Sequence, residues 1–107
     1  FVAAFTAETG RAPSEFAVQG YDSARALIEA VKAGATDRAS LATALRQVSF
    51  DGPRGNLSID PATNNIIQPV YVYETVPGEG GLTQKVLAQL PAEADPVNGC
   101  EMAPVSN

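Results

Sequence analysis

The 107-residue sequence has no histidine and no tryptophan, one cysteine (Cys100) and one methionine (Met102). Without histidine neither a Ser-His nor a Cys-His relay can be assembled, and a metal site built on imidazole or clustered thiolates is excluded with it. No cofactor is expected. Cys100 is either half of a bridge whose partner lies outside this chain or an idle thiol. Cations are scarce too: seven lysines and arginines face twelve acidic residues, for a net charge of -5. Seven cations cannot build a phosphate-tracking stripe, so nucleic acid is excluded as a partner. No apolar run reaches bilayer-spanning length. No secretory leader is visible, and the chain opens on Phe1 rather than methionine, so it is expected to be a processed product or a piece of something longer. Its length allows at most one small domain with a modest core.

What is present is organised around the stretch from Ser14 to Ala33. Ala17, Tyr21, Ala24, Leu27, Ile28 and Val31 recur at helical spacing, with Arg25, Glu29 and Lys32 on the opposite face. Ser14 follows Pro13 as an N-cap and Gly34 ends the helix. Gly20 inside it costs about 1 kcal/mol without breaking it. The preceding residues read as the end of another helix closed by Gly10. After Gly34, Thr36 or Asp37 caps a further helix with Leu41, Ala44, Leu45 and Val48 as its stripe.

Composition then shifts to strands and turns. FDGPRGNLSID reads as a loop leading into a short strand over Leu57 and Ile59. Asp60 to Asn64 is turn chemistry, and Asn64 or Asn65 tolerates positive φ. IIQPVYVYETV is the strongest strand, expected to form a β-hairpin with the Leu57–Ile59 run. Pro69 cannot donate to a ladder, so it marks an edge, a bulge or the place where the strand leaves one sheet. PGEGG is a flexible break, and LTQKVLAQLP is read as a further strand. Residues 91–107, with proline and small residues and no periodicity, are expected to form an irregular tail.

Chemistry is sparse. Asp22, Asp51, Asp60 and Glu74 are scattered among helix starts and turns, where caps and local hydrogen bonds explain them. DGPRG precedes a strand rather than following one, which is the wrong order for a phosphate loop. Asn56-Leu57-Ser58 matches a glycosylation acceptor, a pattern short enough to arise by chance. These residues alone define an α/β fragment and no enzyme.

The succession of FVAAFTAETGRAPSEFAVQGYDSARALIEAVKAG, LRQVSF, DGPRGNLSIDPATNN and QPVYVYE resembles the C-terminal third of type I periplasmic solute-binding proteins. Within that family it is similar to the branched-chain amino acid group serving ABC importers. The resemblance covers residues 1–90 and rests on the order of GYD, FDGP-G and QPVYV; residues 91–107 fall outside it. It implies an α/β chain, two or three helices followed by a β-hairpin, forming part of a two-lobed fold that closes on a small molecule. The strand through Pro69 would be the third hinge crossing. The long helix would present Tyr21, Leu27, Ile28 and Val31 to a parallel sheet whose strands this sequence lacks.

By the same resemblance, Phe16 stands where amino acid-binding relatives present an aromatic ring to the ligand. Gln19, one turn on, shares its face; Tyr21 is the third ligand-binding candidate, although it lies toward the packing face. The resemblance leaves branched-chain amino acids, aromatic carboxylates and small amides open as ligands. The partners it implies are the missing N-terminal part of the parent and an ABC permease, in the periplasm or outside the cell. An exported parent would also favour the bridged state of Cys100. A sensory receptor ectodomain of the same fold is the alternative function, and a swapped homo-oligomer is one way for the isolated chain to cover its apolar faces.

Overall fold

The computed structural model describes residues 1–96, so Cys100 lies outside the described residues. Helix α2 (Glu15–Lys32) is the longest element, with α1 (Val2–Thr9) before it and α3 (Arg38–Leu45) after it. Ser14 Oγ accepts from the Ala17 N–H at 3.4 Å, and Glu15 and Lys32 sit at the helix ends that suit their charges. The helix runs unbroken through Gly20, where an added Cβ would meet nothing within 4 Å. Helix α1 ends on Gly10 at φ 71°. Of the two possible caps for α3, Asp37 is the one used. Its Oδ1 accepts from the Ser40 N–H at 2.8 Å and Ser40 Oγ accepts from the Asp37 N–H at 3.0 Å, a reciprocal capping box.

The strands depart from the sequence expectation at two places. DGPRG is the turn of a hairpin rather than a loop: β1 (Ser49–Gly52) pairs antiparallel with β2 (Gly55–Ile59), Phe50 opposite Leu57 and Gly52 opposite Gly55. Pro53 supplies a fixed φ at the tip, and Gly55 takes φ 106°, a conformation open to glycine. The second departure concerns the long aromatic strand. Only β3 (Ile66–Ile67) pairs with β2; β4 (Val70–Gly78) pairs instead with β5 (Gly81–Leu90) in a separate two-stranded ribbon. Gln68 and Pro69 lie between the sheets, so Pro69 does mark the exit from one of them. The run through LTQKVLAQLP is β5, as expected, and PGEGG closes into the turn joining the ribbon's strands. In the turn before β3, Asp60 accepts from the Ala62 N–H and the Thr63 hydroxyl, and Asn64 takes φ 60°.

Little is buried. Among the described residues Ala30, Val48 and Leu57 form the apolar core, joined by Asp22. The side of α2 that this chain covers is the small-residue stripe of Asp22, Ala26 and Ala30, facing α3 and β1. Arg25 and Glu29, expected opposite the apolar stripe and facing water, are half-buried beside it, and Arg25 lies 5.9 Å from the centre of the Phe50 ring. Tyr21, Leu27, Ile28 and Val31 remain exposed, together with every residue of β5. The architecture is mixed α/β: three helices followed by antiparallel strands in two separate sheets.

Candidate functional site

The polar centre of the chain joins three elements. Asp22, 3% exposed, projects from the covered side of α2. Arg54, at the tip of the β1–β2 hairpin, donates from Nε to Asp22 Oδ2 at 2.8 Å, and its Nη2 stands 2.8 Å from the same oxygen. The sequence assigns Asp22 only local hydrogen bonds; its partner is 32 residues away because the hairpin folds back onto the helix. The Tyr71 hydroxyl on β4 in turn donates to the Arg54 carbonyl at 2.8 Å. Neither Arg54 nor Tyr71 stands out as a functional residue in the sequence. The available signal was that GYD and DGPRG, both carriers of the resemblance, supply the two halves of one ion pair.

Beside this network, a cavity of about 360 Å³ opens between the first turns of α2 and the β1–β3 sheet. Gln19, Asp22 and Ala26 wall it from the helix, and Phe50, Leu57 and Gln68 from the strands. Two buried acceptors in this wall, Asp22 Oδ1 and Gln68 Oε1, have no hydrogen-bond partner among the described residues. Gln19 is thus brought to the cavity. Phe16, 73% exposed at the start of the helix, does not line it. Tyr21 is turned elsewhere, its ring centre 5.0 Å from that of Phe1 and its surface shared with Arg25 and Ile28.

Outside this region, Glu29 and Asp37 are held by local partners. The Glu29 carboxyl is held below the ordinary carboxylate range, first by the hydrogen bond from Arg25 Nε at 2.7 Å and then by Lys32 at 3.1 Å. Asp37 is lowered likewise by its bonds from Ser40. Among the described residues no group of three or more His, Cys, Asp or Glu side chains could hold a metal ion, and no helix is long and apolar enough to cross a membrane.

Helices, hairpin and sheet exit together define a class: a family model described as periplasmic binding protein matches residues 1–81, and the chain belongs to that family. A solute-binding protein of an ABC transporter from Rhodopseudomonas palustris BisB5, solved in complex with 3,4-dihydroxybenzoic acid, is 38% identical over 90% of this chain and 27% of its own, with a TM-score of 0.82. A second R. palustris solute-binding protein, in complex with benzoate, is 35% identical over 94% of this chain and 28% of its own, with a TM-score of 0.76. An ABC transporter substrate-binding protein from Sphaerobacter thermophilus is 28% identical over 86% of this chain and 26% of its own, with a TM-score of 0.77. The chain therefore spans about a quarter of the length of these structures. No curated protein matches it.

Proposed function

We propose that this chain is the C-terminal, hinge-crossing part of a two-lobed solute-binding protein that delivers a small aromatic carboxylate to an ABC permease outside the cytoplasmic membrane. The observation that carries this reading is the 38% identity, over 90% of the chain, to a solute-binding protein solved with 3,4-dihydroxybenzoic acid. A benzoate-bound relative at 35% identity supports the same ligand class over branched-chain amino acids. The chemistry of the α2 start agrees with it. Phe16 offers an exposed ring, and a ring stacked on a ring contributes about 0.5–1.5 kcal/mol beyond its buried area. The partial positive charge at a helix start favours a carboxylate nearby. In this reading Phe16 packs on the ligand ring and Gln19 offers its amide to a ring substituent or the carboxylate. Tyr21 supports the helix through Phe1 from the other side.

Competition calorimetry of the full-length protein with benzoate, 4-hydroxybenzoate and leucine tests the reading. The benzoates are expected to bind and leucine not, and Phe16→Ala is expected to weaken benzoate binding about tenfold, or about 1.4 kcal/mol. Leucine binding without benzoate binding would overturn the ligand class. An unchanged affinity in a folded Phe16→Ala variant would remove Phe16 from the site.

A further inference from the structure

Among the described residues, the β4–β5 ribbon packs extensively against no helix and no strand of the first sheet. The two parts are joined covalently through Gln68 and Pro69, and Pro69 carries no N–H with which to extend the first sheet. At this junction the chain is fastened by side chains. The Pro69 ring packs over Gly55, where an added Cβ would come within 3.2 Å of Pro69 Cγ. The Tyr71 hydroxyl reaches across the junction to the Arg54 carbonyl at 2.8 Å. Arg54 is itself anchored, because its guanidinium is held by the buried Asp22 of α2. Helix, hairpin tip and departing strand thus form one continuous polar connection across a junction that has little apolar packing to hold it.

We infer that Tyr71 is a positioning residue of the hinge: through the Arg54 carbonyl it fixes the direction in which β4 leaves the first lobe, and so the ordering cost of closing on a ligand. This rests on the two-lobed reading above. A hinge held near one direction loses less freedom on closure, and that saving enters the apparent affinity. Tyr71 need not touch the ligand to have this effect. Removing its hydroxyl leaves the ring, its neighbour Tyr73 at 6.2 Å and the Asp22–Arg54 pair in place.

The test is Tyr71→Phe in the full-length protein, with spin labels at the exposed positions Ala42 on α3 and Glu79 at the ribbon turn. Pulsed-EPR distance distributions are read without ligand and with benzoate. The expected result is a broader ligand-free distribution in the variant and a benzoate affinity about two- to tenfold weaker, the range of one net hydrogen bond. A distribution as narrow as the wild type's overturns the inference, even if the variant melts at a lower temperature, because that outcome would make the hydroxyl structural only. If the wild type binds no benzoate, the ligand proposal falls. The ligand-free distributions then still decide the role of Tyr71.

Discussion

At the scale of single residues, Asp22 shows how a side chain with a routine sequence explanation becomes a tie between distant elements. A carboxylate near the middle of a helix usually faces water, and this one is almost fully buried because Arg54 comes to it. The balance is asymmetric. Removing one partner of a buried pair costs about 3–5 kcal/mol, whereas replacing both can be nearly neutral. Arg54 is 27% exposed, so the lower end of that range applies. Arg54→Met is therefore expected to destabilise the full-length protein by about 3 kcal/mol, and adding Asp22→Asn should recover part of that loss in denaturant melts. A double variant destabilised by the sum of the two single effects would show that the charges are not coupled. The sequence marked both residues only as members of motifs, since no local pattern reveals a partner 32 positions away.

At the scale of elements, legibility followed the range of the forces involved. The helices were readable because their determinants are local: Ser14, Asp37 and Gly10 each act within four residues of themselves. β1 was not readable, because Ser49-Phe50-Asp51-Gly52 has one large apolar residue and no alternation to display. Strand pairing was half readable. Pro69 narrowed the choice to an edge, a bulge or an exit from a sheet, but nothing in Val70–Gly78 says whether β2 or β5 is its neighbour. Gly52 records the β1–β2 register in a way visible only in three dimensions. A Cβ there would lie 2.6 Å from Leu57 Cδ1 and 2.8 Å from Asp22 Oδ1. Gly52→Ala is thus expected to cost about 1–3 kcal/mol through overpacking, measured by thermal or denaturant unfolding of the full-length protein. A neutral effect would mean that the hairpin sits further from α2 than described.

At the scale of the whole molecule, the chain has the shape of a part. Its radius of gyration is 16.9 Å, against about 13 Å for a compact domain of this length. The open face of α2 carries Tyr21, Leu27, Ile28 and Val31, each 43–59% exposed. Full burial of such a side chain is worth roughly 1.5–3 kcal/mol, so cover from another segment or a second copy would stabilise this face. The proposed ligand site divides in the same way: in that reading this chain supplies Phe16 and Gln19, and a cleft between two lobes needs a second wall. Binding is therefore expected of the full-length protein and not of these 107 residues alone. Calorimetric titration of both with 3,4-dihydroxybenzoate, side by side, tests it most directly. The expected result is saturable binding of one ligand by the full-length protein and no heat of binding from the isolated chain. Binding by the isolated chain with the affinity of the full-length protein would contradict the two-lobed account of the site.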